Sequence, residues 1–221
     1  MILKKIDFFS TGSLVIYQDY EMSINPKTGC REDIPIDPVE IKSYEDLAKR
    51  VSRHSDIEKL VEEQLEKSKE LKLWRKAMPS KTPSAIAKYQ KSPDSVDNQK
   101  VSDAIEDVGA QLPLGQVLFH GGNLHDGCLT RPLSTTFCPQ VARQEALWKG
   151  KAKAIGCVNI YKITITGGNV NGYALKQKGT NLGNEKEVLI SAGHELTVGN
   201  KIFEDTLEDG MPIKIFEANI K

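Results

Sequence analysis

Glu185 and Glu187, with one lysine between them and Val188-Leu189-Ile190 behind them, are the residues of this sequence best arranged to do chemistry. Along a strand, alternation puts both carboxylates on one face and Lys186 on the other. The apolar run then anchors the strand in a core. Such a pair can stabilise a developing positive charge and take a proton from an incoming nucleophile. The polar run from Lys178 to Asn184 leads into the pair and reads as a recognition loop, with Asn181 and Asn184 as its contacts and Glu185 beside them. In isolation, two surface glutamates at a strand start would look the same.

Two upstream segments add to this reading. Val117-Leu118-Phe119 ends in His120-Gly121-Gly122, an apolar strand closing on a polar ring and two glycines. Glycines admit close approach of a ligand to backbone, and the imidazole can donate or accept a hydrogen bond. Leu133-Ser134-Thr135-Thr136-Phe137 puts three hydroxyls in one strand, Ser134 and Thr136 on one face and Thr135 on the other. Taken singly, the first is also an ordinary strand and turn, and the second is also the common use of threonine in sheets.

The elements that must position these groups fall into an ordered series. With 221 residues, the chain is long enough for one good-sized domain or a domain with an appendage. Lys+Arg and Asp+Glu are both 30, so overall charge favours neither nucleic acid nor any other charged partner. No apolar stretch is long enough to span a bilayer, and Asp7 interrupts the apolar start, so the expectation is no membrane partner and no cleaved signal peptide. The expected location is the cytoplasm, or a target cell entered without such a signal. Cys30, Cys128, Cys138 and Cys157 form no Cys-x-x-Cys pair, which argues against zinc and for free thiols.

Residues 1–42 are mixed, with a short strand at Leu14–Tyr17 and turns at the prolines. Ser43 and Asp46 form a capping-box-like start, after which Leu47, Val51, Ile57, Val61, Leu65, Leu71 and Trp74 recur at helical spacing. Ser84–Gln90 and Asp97–Val108 read as further helices. Strands follow at 117–119, 133–137, 154–165, 187–190, 195–198 and 213–220, with a helix at Pro139–Trp148. Helices first and strands later predict an α+β fold.

In this order and spacing, the three motifs resemble the mono-ADP-ribosyltransferase family of bacterial and phage toxin type, whose members carry an Arg-Gly strand end, a Ser-Thr-Ser and a Glu-x-Glu. Their counterparts are Phe119-His120-Gly121-Gly122, Leu133-Ser134-Thr135-Thr136-Phe137 and Glu185-Lys186-Glu187. The resemblance covers about residues 44–221 and departs at His120, where the family usually has arginine. A His-Gly start is instead similar to the branch of poly-ADP-ribose polymerases and diphtheria-type toxins.

The resemblance implies N-terminal helices followed by a two-sheet β core around an NAD cleft. It divides the chain into an appendage at 1–42 and a catalytic domain at 43–221, with a helical lobe at 43–110 and a β core at 111–221. NAD is the co-substrate and no metal is needed. Glu187 faces the ribose, Glu185 serves the acceptor, and Ser134 braces Glu187. His120, Gly121, Gly122, Thr135, Thr136 and Phe137 line the NAD site, with Phe137 or Tyr173 stacking on the nicotinamide. Arg131 reaches a phosphate in place of the missing arginine. The implied activity is transfer of ADP-ribose to a macromolecular acceptor, a protein arginine first, by a toxin or effector that an inhibitor protein would neutralise. A nucleic-acid acceptor, NAD hydrolysis without transfer, and an inactive interaction module on the same fold are the alternatives.

Overall fold

The computed structural model describes residues 3–16, 19–36, 38–52, 57–175 and 186–221. The N-terminal third holds two small ladders. One pairs β1 (Leu14–Ile16) with β4 (Val39–Ile41), and the other pairs β2 (Asp19–Ile24) with β3 (Arg31–Ile36).

Helices follow: α1 (Tyr44–Lys49), α2 (Ile57–Lys67), α3 (Lys69–Ala77), α4 (Ser84–Lys91) and α5 (Asn98–Val108). Ser43 Oγ caps α1 by accepting from the Asp46 amide at 3.0 Å. Asp46 reaches back to the Lys42 amide, one residue before the cap, so the box is shifted from its expected form. The helical spacing after Ser43 does not make one helix. Ser68 accepts from the Leu71 amide at 3.1 Å and starts α3 afresh, a serine offering the backbone an alternative to the helical ladder.

The remaining strands are β5 (Ala110–Gln111), β6 (Val117–Gly121), β7 (Gly127–Cys128), β8 (Leu133–Thr136), β9 (Val158–Ile165), β10 (Asn171–Ala174), β11 (Glu187–Ile190), β12 (Glu195–Thr206) and β13 (Pro212–Ile220). Between β8 and β9 lie α6 (Pro139–Leu147) and α7 (Lys151–Ile155). The expected strand at 154–165 therefore starts late. Gly156 closes α7 in a left-handed conformation at φ 80°, and the strand begins at Val158.

The nine strands run in the order β5-β10-β11-β8-β6-β9-β13-β12-β7. The two expected sheets take the form of two halves of one ladder. They meet where β6 and β8 share the single register pair Phe119↔Thr136. On one side β8, β11 and β10 pair antiparallel; on the other β6, β9 and β13 pair through long registers, β9 with β13 in parallel.

Alternation decides what each face of β11 meets. Leu189 packs with Ile86, Tyr89, Val101, Ile105 and Tyr173 under α4 and α5. Val188 and Ile190 face the larger core, which also holds Leu47, Val61, Leu65, Trp74, Phe137 and Val141.

The start of the chain contributes to this larger core. Leu3, Ile6 and Phe8 are 3%, 2% and 5% exposed. The fully buried Gln116 side chain binds both backbone groups of Ile6, and the Trp74 indole donates to the Lys4 carbonyl. Such pairing satisfies polar groups that burial would otherwise penalise. None of the helices among the described residues is long and apolar enough to cross a membrane.

Candidate active site

The three motifs lie on three neighbouring strands, β11, β8 and β6, around the point where the ladder opens. Glu187 opposes Thr136, and Leu189 opposes Ser134, so Ser134 and Glu187 share a face. Ser134 Oγ donates to Glu187 Oε1 at 2.6 Å, and Gln90 Nε2, from α4, donates to Oε2 at 2.9 Å. Both carboxylate oxygens are thus held. Glu187 is 8% exposed. Burial raises its pKa above the ordinary glutamate value, with the Ser134 and Gln90 hydrogen bonds pulling it back down and Glu145 adding to the rise. The two donors favour the ionised form against burial, and a carboxylate ionised in so dry a setting acts strongly on a nearby cation.

Gln90 is the residue sequence reasoning missed. Nothing local marks one glutamine on an amphipathic helix, and its partner lies 97 positions away. Its Oε1 is buried and has no hydrogen-bond partner among the described residues.

At the end of β6, the Gly122 amide donates to the Asn159 carbonyl at 3.0 Å. In an antiparallel ladder this turns the amide and carbonyl of the preceding residue, Gly121, away from β9 and toward β8. There β6 and β8 have already parted beyond Phe119↔Thr136, so the Gly121 backbone faces the opening. The lack of a side chain at Gly121 has a different cause from close ligand approach. A Cβ there would stand 1.6 Å from the Ala142 carbonyl oxygen, because α6 packs directly on the strand. Gly122 adopts φ +144°, and a Cβ on it would press on His120 Nε2 at 3.2 Å.

His120 bridges the opening. Its Nδ1 lies 2.7 Å from the Ser134 carbonyl oxygen, which can only accept, so Nδ1 carries the proton. Burial lowers its pKa to about 4, against the opposing pull of the Ser134 bond; Lys151 and Arg131 lower it further. The ring is therefore neutral at pH 7 and presents Nε2 as an acceptor. It supplies no charge for a phosphate, whereas Arg131 is exposed and acts electrostatically on both His120 and Tyr89.

Three expected ligand contacts are placed elsewhere. Phe137 is 3% exposed and packs 5.8 Å, centroid to centroid, from Trp74. It continues the Thr135 face of β8, away from Glu187. Thr135, 2% exposed, donates to the Val188 carbonyl at 2.6 Å and braces β8 to β11. Tyr173 opposes Leu189 and is fully buried beneath α4 and α5, so it does not stack on a ligand either. Thr136 shares the Glu187 face but is 5% exposed, and its hydroxyl accepts from the Cys138 amide at 3.2 Å to turn the chain into α6. Glu185, Asn181 and Asn184 lie outside the described residues.

Lys186 adopts φ +52°, an uncommon backbone for a side-chain-bearing residue that costs about 1–2 kcal/mol. The turn therefore needs compensating contacts. No group of three or more metal-ligating side chains is found among the described residues.

No family model and no curated protein sequence matches this chain. Solved structures do. The ADP-ribosylating toxin BECa, from a binary enterotoxin of C. perfringens and solved with NADH, aligns with 95% of this chain at TM-score 0.50 and 14% identity. The match covers 57% of the BECa chain, so this chain spans little more than half of that relative's length. Plx2a, an ADP-ribosyltransferase toxin from Paenibacillus larvae, aligns with 74% of this chain and 96% of its own at TM-score 0.48 and 12% identity. The Vibrio splendidus ADP-ribosyltransferase Vis, in complex with agmatine, aligns with 79% and 89% at TM-score 0.47 and 12% identity. The BECa match identifies the architecture: this chain has the ADP-ribosyltransferase fold.

Proposed function

We propose that this protein is an NAD-dependent mono-ADP-ribosyltransferase, a toxin or effector that transfers ADP-ribose to a macromolecular acceptor, with a protein arginine as the target. The observation that carries the reading is the doubly held Glu187 carboxylate, bonded to Ser134 and Gln90 beside the opening onto which Gly121 presents its backbone. The NADH bound to BECa, which shares the fold, supports NAD as the co-substrate here.

The residues present suit NAD. The Gly121 amide and carbonyl match the donor and acceptor of a carboxamide, His120 Nε2 can accept from a ribose hydroxyl, and Arg131 stands at the rim to meet a phosphate. Breaking the nicotinamide–ribose bond sends the bonding pair to nicotinamide and leaves positive charge on the ribose. Glu187 stands against that charge. Ser134 and Gln90 favour its ionised form against burial and keep it aimed, and the surrounding core keeps water away. The acceptor nitrogen then bonds to the ribose carbon and loses a proton, for which Glu185 is the assigned base. No metal takes part in this scheme.

Incubation with isotopically labelled NAD and cell lysate, followed by mass spectrometry, tests the reading. Labelled protein carrying ADP-ribose on arginine is the expected result. Labelled nucleic acid would reassign the acceptor, free ADP-ribose alone would make the protein a hydrolase, and unconsumed NAD would sink the enzymatic reading.

A further inference from the structure

The middle residue of Glu185-Lys186-Glu187 is more deeply buried than its type allows without a partner. The Lys186 side chain is only 4% exposed, and its Nζ lies 3.5 Å from Glu58 Oε1 on α2. Gln144, on α6, donates to the other oxygen of Glu58 at 3.4 Å. The nearby Cys138 thiol is fully buried, and burial pushes its pKa up to about 11, so it stays neutral, while Glu58 supplies a negative charge to Lys186. The Lys186 backbone is held as well: its carbonyl accepts from the Phe137 amide at 3.4 Å, at left-handed φ +52°. Glu187 follows at once and turns to the opposite face of β11, where Ser134 and Gln90 receive it.

A buried ammonium is tolerated only where it is paired, and a left-handed lysine only where its surroundings hold it there. Both conditions meet at one residue, immediately before the carboxylate that the proposed reaction uses. We propose that Lys186 is a positioning residue: its pairing with Glu58 pins the left-handed turn ahead of β11 and thereby sets the Glu187 carboxylate between Ser134 and Gln90. Across this turn the two side chains leave the backbone in opposite directions, Lys186 toward Glu58 on α2 and Glu187 toward Gln90 on α4, so fixing the first sets where the second starts. The catalytic consequence rests on the function proposed above; the mechanical one does not.

The test compares the full-length protein with Lys186→Asn, Lys186→Arg, Glu58→Gln and the Lys186→Asn/Glu58→Gln pair. Asparagine tolerates left-handed backbone but cannot reach α2, so it keeps the turn permissible and removes the tether. Nicotinamide release is measured for kcat and KM, and amide hydrogen exchange is followed at Leu175 and Phe137. These amides donate to the carbonyls of Glu187 and Lys186 at 3.0 and 3.4 Å.

The expected result for Lys186→Asn is a kcat at least tenfold lower, with KM for NAD within twofold. Exchange at Leu175 and Phe137 should be at least tenfold faster, while Ile215 in β13 is unchanged. Glu58→Gln should act in the same direction, the double variant should be no worse than Lys186→Asn alone, and Lys186→Arg should recover most of kcat. Unchanged exchange at both amides overturns the proposal, as does additive loss in the double variant. If the unaltered protein releases no nicotinamide, the proposed function fails and the exchange measurement alone decides the tether.

Discussion

Gln90 donates to Glu187 Oε2 at 2.9 Å, joining α4 to β11 across 97 positions of sequence. With Ser134 on the other oxygen, the carboxylate is held from a helix and from a strand at once. Burial favours its neutral form, and the two donors favour its ionised form.

That balance makes Gln90 a determinant of pH dependence. Gln90→Met keeps the approximate shape and removes the donor, so the already raised pKa of Glu187 rises further. A hydrogen bond to a charged group contributes about 1.5–3 kcal/mol, and one pKa unit is about 1.4 kcal/mol. The acidic limb of the kcat/KM profile should therefore move to higher pH by about one to two units. A limb that stays in place would remove Gln90 from this role.

His120 should make the fold acid-sensitive. Its folded pKa, about 4, lies below the free value of 6.5, so protonation favours the unfolded chain. The stability it contributes is present above pH 6.5 and is lost as pH falls toward 4. In His120→Gln, the loss of stability between pH 6.5 and 4 should shrink by on the order of 2–3 kcal/mol, read from urea unfolding at each pH. Glu187, raised instead of lowered, acts with the opposite sign: it favours the folded state at acid pH and loses that contribution as pH rises through its folded pKa.

Gly121→Ala should be severely destabilising without any ligand present. The new methyl would stand 1.6 Å from the Ala142 carbonyl oxygen, a backbone atom of α6, so the helix itself must move. Overpacking of this kind costs about 1–3 kcal/mol or more, and thermal unfolding of the apo protein measures it. A transition within a degree of the unaltered protein would contradict the packing described for α6.

Arg131→Ala should raise KM for NAD several-fold and leave kcat nearly unchanged. Arg131 is exposed and acts electrostatically on His120, which is neutral and supplies no charge of its own, so the proposed phosphate contact falls to the guanidinium. An unchanged KM would place the phosphates elsewhere.

Much of this architecture can be read from local pattern. Alternating apolar residues mark Val158–Ile165 and Ile213–Ile220, and Asp97 announces α5 by capping it. The meeting of Ser134 with Glu187 is what the resemblance implies, and the pairing of β8 with β11 brings it about. The remainder depends on long-range partners. Gln116 seats Ile6 from 110 positions away, so the start of the chain gives no local hint that it joins the core. The strand expected at 195–198 runs on through Gly199 and Asn200 to Thr206, accommodated by register shifts against β13. The resemblance implies a nicotinamide contact for Phe137. Its position one residue beyond Thr136 instead sends it to Trp74.

Nicotinamide release by Glu187→Gln bears most directly on the central claim. Glutamine preserves the shape, Ser134 can still donate to its oxygen, and a flipped Gln90 amide can offer its presently unpartnered Oε1 to the new nitrogen. The variant should therefore fold, and should be more stable than the unaltered protein at neutral pH because no charge is buried. It should release nicotinamide from NAD at a rate lower by orders of magnitude. A folded Glu187→Gln protein that cleaves NAD at the unaltered rate would contradict the account.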